Sequence, residues 1–330
     1  MAIEKEKQKL YVDMYRTMVR IRIFEEKIAE DFAAGKIPGF VHLSAGQEAN
    51  ATGVCANLRP DDIIVSNHRG HGHIIAKAGN QYSLAPMVAE LYGKKTGVNK
   101  GKAGSMHLSD LDIGVLVAEG IQGTALTLAG GAALAAKLKG TDQVVVTFIG
   151  DGTLNTGRFH EGMNMASAWK LPLICYCENN IWAESTNIYE ATNLTNLTDR
   201  AVAFNIPGVS VDGNDVLAVY EVAAKAVARA RKGEGPTFIE GKTCRRFAHY
   251  QGDTHLYRSQ EEKDECMKRD PIPRFKKKLI EMKVLTDKEA DKIHQEVREE
   301  MDKAVKFALE SPFPDPEDVL TDVFAQGGKK

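Results

Sequence analysis

The sequence predicts an α/β protein: a three-layer parallel sheet with helices on both faces. Three observations carry this. From residue 143 onward, apolar strand-like runs alternate with helical patterns, the order that builds parallel sheets through crossover helices. Two of those runs, 143–149 (QVVVTFI) and 171–179 (LPLICYCEN), are apolar without alternation, as strands covered on both faces are. Each run ends in a polar tripeptide, Gly150-Asp151-Gly152 and Glu178-Asn179-Asn180, which sets polar groups at one sheet edge.

The elements follow in order. Residues 10–34 carry Leu10, Met14, Met18, Ile21, Phe24, Ile28 and Phe32 at three- and four-residue steps, an amphipathic helix closed by Gly35 and Pro38. A loop over 39–48 holds His42, and a helix is expected over about 45–57. A short strand from Ile63 to Val65 runs into a His/Gly loop ending at His73. Residues 97–120, rich in Gly and Lys, read as one long functional loop. Residues 124–138 form a helix of small side chains with Gly130 and Gly131 at its middle. Each Gly costs about 1 kcal/mol relative to Ala there, which suggests close approach of another backbone. Beyond the first buried strand come a helix at 157–169, the second buried strand, a short strand at 209–211, a helix at 214–231 and a strand at 237–245. Residues 245–275 turn polar and read as a mobile loop followed by a short helix. The last helix spans 286–310, with a Thr286/Glu289 capping box, an apolar stripe of Ile293, Val297, Met301 and Val305, and Pro312 as its stop. Only the final GGKK is low in complexity.

At 330 residues the chain has the length of about two average domains, yet a large α/β domain takes this length alone. One domain over 1–330 is expected, with an N-terminal helical extension (about 1–58) and a C-terminal helical tail (about 262–330). Lys and Arg number 43 against 45 Asp and Glu, so no basic field points to nucleic acid. The N-terminus mixes both charge signs and has no apolar core, unlike a secretory signal, and Glu4 and Glu6 argue against a transit peptide. The most apolar stretch, 124–136, is too short to span a bilayer. A soluble cytoplasmic protein without membrane contact is expected. Its five cysteines include no CxxC pair and are expected as reduced thiols.

The chemistry centres on Asp151 and Asn180. They stand 29 residues apart, the length of a turn, a helix and a strand, and a right-handed crossover brings both to the carboxyl edge of the sheet. A carboxylate and an amide carbonyl suit Mg²⁺ or Ca²⁺, with positions left for water and phosphate oxygens. Gly150 and Gly152 let the backbone approach a diphosphate, and the helix starting near Gly157 aims its N-terminus at it. GDGTLNTG misses the GxGxxG dinucleotide spacing, and Gly157 is followed by Arg158-Phe159 where a Walker loop needs Lys and Ser or Thr. His68, His71 and His73 read either as a transition-metal loop or as a phosphate- or substrate-binding loop.

GFVHLSAGQEA (39–49), HRGHGH (68–73), GKAGSMH (101–107), CENN (177–180) and YRSQEE (257–262) resemble the α subunit of thiamine diphosphate-dependent 2-oxo acid dehydrogenase decarboxylating components. GKIPGFVHL (35–43) and WAEST (182–186) look most like its acetoin dehydrogenase branch. The resemblance implies the thiamine diphosphate-binding fold, with thiamine diphosphate and Mg²⁺ as cofactors. It implies that Asp151 and Asn180 hold the metal by side chains and Trp182 by its backbone carbonyl. Gly152 and Thr153 then touch the diphosphate through N–H groups, and Arg69 pairs with phosphate oxygens as a fork, beside His68. Gly120 and Gln122 hold the pyrimidine through the backbone. His249 lies over the diphosphate and reacting centre, and His42 on the substrate side, both as catalytic groups. A β subunit in an α₂β₂ heterotetramer is implied, supplying the glutamate that activates the cofactor. A lipoyl-bearing acyltransferase component receives the acyl group, with 245–265 as lid and docking surface. The implied substrate is acetoin; pyruvate or a branched-chain 2-oxo acid is the alternative. A non-catalytic scaffold keeping the fold is the reading of another class. Departures fall at AEGIQGT (118–124), GDGTLNTG (150–157) and FAHYQGD (247–253), and Tyr250 stands where mitochondrial relatives carry a phosphorylated serine.

Overall fold

In the computed structural model, which describes residues 4–324, the chain opens with α1 (Lys5–Ala33). α2 (Glu48–Cys55) leads to β1 (Ile63–Asn67), α3 (His71–Ala78) and α4 (Ala85–Leu91). β2 (Val115–Glu119) precedes α5 (Thr124–Leu138), β3 (Val145–Gly150), α6 (Gly157–Ala168) and β4 (Leu173–Asn179). A small ribbon of β5 (Trp182–Ala183) and β6 (Thr186–Asn187) runs into α7 (Ile188–Ala191). Then come β7 (Gly208–Asp212), α8 (Val216–Arg231), β8 (Thr237–Lys242), α9 (Gln260–Lys268), α10 (Pro271–Glu281) and α11 (Asp287–Glu310).

Six strands form one parallel sheet in the order β2-β1-β3-β4-β8-β7. Both faces are covered, as the unbroken apolar runs require. Along β4, Leu173, Cys175 and Cys177 pack toward α5 and α6, with Ala129 and Met163. Ile174 and Tyr176 pack the other way, into the cluster that holds Val54 of α2 and Val219 of α8. Each such buried aliphatic side chain contributes roughly 1.5–3 kcal/mol. β3 and β4 pair so that Gly150 lies opposite Glu178, and Asp151 and Asn180 leave the same edge. The terminal helices pack on each other: Tyr15 and Met18 of α1 share a cluster with Phe275 and Leu279 of α10 and Val297 of α11. A buried ion network pins the same corner, with Arg22 donating to Glu48 at 2.5 Å and to Asp270 at 2.9 Å. The Thr286/Glu289 capping box is present.

Several expectations are corrected. HRGHGH is not all loop: α3 starts at His71, once Gly70 has turned the chain, and buries Ile74 and Ile75. The stretch 97–120 is not all loop either, because Val115–Glu119 adds to the sheet beside β1. That pairing joins residues about fifty positions apart, beyond the reach of local pattern. α4 carries Pro86 in its first turn, where a missing N–H costs nothing. The polar 245–275 stretch holds the expected loop and short helix, α9, and in addition the first part of α10. Among the described residues nothing outside the helix's own backbone comes within 4 Å of a Cβ built on Gly130 or Gly131. The cysteines are not all reduced: Cys244 and Cys266 are bonded, while Cys55, Cys175 and Cys177 are free and buried. The chain between the pair folds back to the end of β8, and their spacing of 22 residues carries no sequence signal. No helix among the described residues is long and apolar enough to cross a membrane. The terminal GGKK lies outside the described residues.

Candidate functional site

A cavity of about 350 Å³ opens at the carboxyl edge of the sheet. Asp151, Gly152 and Thr153 follow β3, Asn180 follows β4, Trp182 opens β5, and His68 and Arg69 follow β1. Gly120 and Gln122 follow β2, His249 follows β8, and His42 comes from the loop before α2. Every site residue that the family resemblance implied lines this one cavity.

The oxygen donors lie at its floor. Asp151 is 1% exposed, and its Oδ2 has no hydrogen-bond partner. Burial pushes its carboxyl up to about 6. Asn180 donates from Nδ2 to Gln47 Oε1 at 2.9 Å, which orients its amide oxygen away from Gln47. The Trp182 indole donates to Glu262 at 2.6 Å and is held independently of its backbone. An unsatisfied buried carboxylate oxygen, in a cavity that Asn180 and Trp182 also line, suits a hard cation such as Mg²⁺. Gly152 is required sterically, because a Cβ there meets that of Ala183 at 2.5 Å. A Cβ on Gly150 meets nothing within 4 Å and faces open space. The N–H groups at the floor belong to a 3₁₀ turn, Asp151–Asn155, rather than to the start of α6. Thr156, one residue before α6, spends its side chain capping Phe159 N.

Opposite stand two buried guanidiniums. Arg69 donates to the carbonyls of Leu43 at 2.6 Å and His249 at 2.9 Å. Much of its fork thus ties two loops together. Arg245 donates to His249 Nδ1 at 3.0 Å, and its Nε has no partner. Among the described residues neither arginine forms an ion pair, and burial followed by mutual repulsion lowers Arg69 to about 9. Burial is also the main cause lowering Arg245. Buried cations without an ion-pair partner, in a cavity whose lining carboxylates do not bond them, suit an anion.

His42, His68 and His249 bring ring nitrogens within 4.8 Å of one another. Burial and then Arg69 hold His42 and His249 down at about 3, and hold His68 well below its usual value. All three are neutral near pH 7. The neighbouring guanidiniums oppose a cation there. The sequence trio of His68, His71 and His73 does not converge. His71 turns inward to Glu25 at 2.9 Å, and His73 bonds Ser66 at 2.8 Å while stacking on Phe148. His107 lies against Gly120, where a Cβ would meet its ring at 2.9 Å.

Residues 16–317 match the family described as dehydrogenase E1 component. The chain belongs to that family. This E1 component chain is 49% identical over 312 residues to the α subunit of acetoin:2,6-dichlorophenolindophenol oxidoreductase from Bacillus subtilis (strain 168), covering 94% of this chain and 92% of that one. It is 44% identical over 324 residues to the α subunit of the same name from Cupriavidus necator, covering 98% and 96%. It is 40% identical over 324 residues to a chloroplastic pyruvate dehydrogenase E1 component subunit alpha-3 from Oryza sativa subsp. japonica, covering 95% and 75%. The family is one of thiamine diphosphate-dependent oxidoreductase components.

Sequence reasoning missed three contributors to the E1 cavity. Arg245 follows β8 at the ligand-binding edge, a position that could have drawn attention to it. The Gln122 side chain, expected to act only through its backbone, reaches His68 at 2.8 Å and Thr153 at 3.0 Å. Glu178 lines the cavity beside Gly150 and faces His73 at 3.3 Å, so it lies at the Asp151 end.

Proposed function

We propose that this chain is the α subunit of a thiamine diphosphate-dependent dehydrogenase that cleaves acetoin and passes the acyl group to a lipoyl acceptor. It works with Mg²⁺ and pairs with a β subunit in an α₂β₂ assembly, residues 1–330 acting as one domain. The observation that carries this reading is charge: Arg69 and Arg245, buried without ion pairs, face the unsatisfied Asp151 carboxylate across one cavity. A metal-bridged diphosphate answers both needs at once. The identities of 49% and 44% to acetoin oxidoreductase α subunits support the substrate.

Asp151, Asn180 and the Trp182 carbonyl hold Mg²⁺ in this reading. The N–H groups of Gly152 and Thr153 donate to phosphate oxygens, and Arg69 and Arg245 offset their charge. Gly120 and Gln122 hold the pyrimidine. His68 and His249, both neutral, donate from Nε2, and His42 and His249 hold or move a proton at the substrate oxygen. When bound, thiamine diphosphate supplies the nucleophilic carbon and electron sink for C–C cleavage. Glu178 sits at the metal end, which supports a partner subunit as the source of the carboxylate at the pyrimidine.

Calorimetric titration of thiamine diphosphate with Mg²⁺, into this chain alone and with its β subunit, tests the reading. Binding in the mixture that Asp151→Ala abolishes supports it, and acetoin-dependent reduction of a lipoyl acceptor fixes the substrate. Turnover with pyruvate instead moves the assignment to the pyruvate branch. Binding in neither sample favours the scaffold.

A further inference from the structure

Cys244 and Cys266 close the base of the loop that covers the cavity. They stand 22 residues apart with Cα atoms 5.9 Å from each other. Cys244 lies just past β8 and Cys266 within α9. Between them lie Arg245 and His249. α9 also carries Glu262, which accepts from the Trp182 indole at 2.6 Å and from Arg258 at 2.9 Å. The bond therefore ties the helix that braces Trp182 to the strand that presents Arg245.

The surroundings suit the reduced pair as well. Cys266 Sγ is 3.4 Å from the Arg245 carbonyl oxygen, and Cys244 Sγ is 3.6 Å from that of Cys266. On reduction the two sulfurs must separate, and these carbonyl oxygens are acceptors near the resulting thiols. Arg258 donates to the same Arg245 oxygen at 2.8 Å, which sets a guanidinium beside Cys266. The thiolate is the form that reacts with disulfides. The other cysteines are unsuited: burial pushes the Cys55 thiol up to about 12 and raises those of Cys175 and Cys177 further.

We propose that Cys244 and Cys266 form a reversible thiol–disulfide site that governs how firmly the 245–265 loop is held over the cavity, with low-molecular-weight disulfides as the exchange partner. One thiolate attacks a sulfur of the small disulfide and expels one small thiolate. The second attacks the protein sulfur of the mixed disulfide and expels the other. The protein gives up two electrons, and its two thiol protons pass to the two released thiolates. Oxidised, the bond holds α9, and through Glu262 the Trp182 ribbon, against the sheet edge. Reduced, the loop is held by non-covalent contacts alone, among them the Arg246–Asp270 ion pair. The consequence for ligand affinity rests on the reading of the cavity given above.

The test uses the full chain co-purified with its partner subunit, equilibrated in glutathione buffers from reduced to oxidised, alkylated and mapped by mass spectrometry. The Cys244–Cys266 peptide should form and disappear reversibly. Tryptic cleavage after Arg258 and Lys263 should be about fivefold faster when reduced, as opening of an untied segment allows. C244S and C266S should cleave at the fast rate in every buffer. Magnesium pyrophosphate, as probe, should bind about fivefold more weakly to the reduced protein, because the loop is no longer pre-organised. Alkylation of both cysteines at every glutathione ratio overturns the proposal, as does a bond that survives excess reductant or cleavage that ignores redox state. The wild-type comparison needs no substitution, so a misfolded variant decides nothing. Reversible bonding and redox-dependent cleavage without pyrophosphate binding in either state would leave this site standing and remove the anion reading of the cavity.

Discussion

Gln122 Nε2 lies 2.8 Å from His68 Nδ1 and 3.3 Å from the Gly120 carbonyl oxygen. A carbonyl oxygen only accepts, so the amide nitrogen faces both groups. Gln122 Oε1 meanwhile accepts from Thr153 Oγ1 at 3.0 Å. His68 Nδ1 is therefore an acceptor, and the neutral ring carries its proton on Nε2, which is buried without a partner. Arg245 imposes the same tautomer on His249 by donating to its Nδ1. Two N–H donors are thus aimed by neighbours that are not themselves the donors.

Gln122→Glu should reverse the His68 tautomer, because a carboxylate draws the ring proton to Nδ1. Nitrogen-15 NMR of the imidazoles reads this directly. Losing one hydrogen bond of about 1 kcal/mol should weaken magnesium pyrophosphate binding by roughly fivefold. An unchanged His68 spectrum would remove Gln122 from this role.

Arg245→Met should act in opposite directions on the two states. Without ligand it removes a buried cation that has no ion pair, and the melting temperature should hold or rise. With ligand it removes a charge-assisted contact of about 1.5–3 kcal/mol, and pyrophosphate should bind ten- to a hundredfold more weakly. A variant destabilised equally in both states would mean that Arg245 is structural.

Metal affinity should follow the Asp151 carboxyl. With its folded value near 6, raised by burial, the group protonates as pH falls through 6, and the proton competes with Mg²⁺. Affinity should then fall about tenfold per unit below that point. Asp151→Asn should bind weakly with a flat profile. Titration of Mg²⁺ with pyrophosphate between pH 5 and 8 checks this.

The histidines make stability itself depend on pH. The unfolded chain protonates them near 6.5, whereas the folded chain keeps His42 and His249 neutral down to about 3. Between those values the unfolded state binds more protons, so the free protein should lose stability as pH falls from 6.5 toward 3. Each such proton contributes a slope of about 1.4 kcal/mol per pH unit. Asp151 opposes this between about 6 and 3.8, where the folded state binds the extra proton. His42→Asn should flatten the denaturation profile by about one proton, an effect readable in chemical denaturation at several pH values.

Asp270→Ala should destabilise the fold by roughly 3–5 kcal/mol, because it leaves Arg22 and Arg246 short of their buried partner. Loss of α1–α10 packing in thermal denaturation checks this. Arg22→Met with Asp270→Leu together should not recover it, because buried Glu48 then loses its Arg22 partner as well.

Much of this site was readable in sequence because its chemistry sits at strand ends. Asp151 and Asn180 each follow an unbroken apolar run, and two such runs joined by one helix make parallel neighbours whose ends share an edge. His42, Arg69 and His249 were reached only through resemblance, since nothing local to them predicts that three loops meet. His71 and His73 show the converse. Their spacing imitates a ligand set, but α3 begins between His68 and the other two and turns them into the core.

The sequence by itself determined the alternation of strands and helices, the two-sided burial of the central strands and the oxygen pair at their ends. These follow from periodicity and chain connectivity, which are local. Only the tertiary structure decided that Val115–Glu119 is a strand, that Arg69 and Arg245 share one cavity without ion pairs, and that Cys244 meets Cys266. Those facts depend on which distant segments are brought together. Charge balance, pairing and bonding at one point in space have no period along the chain to announce them.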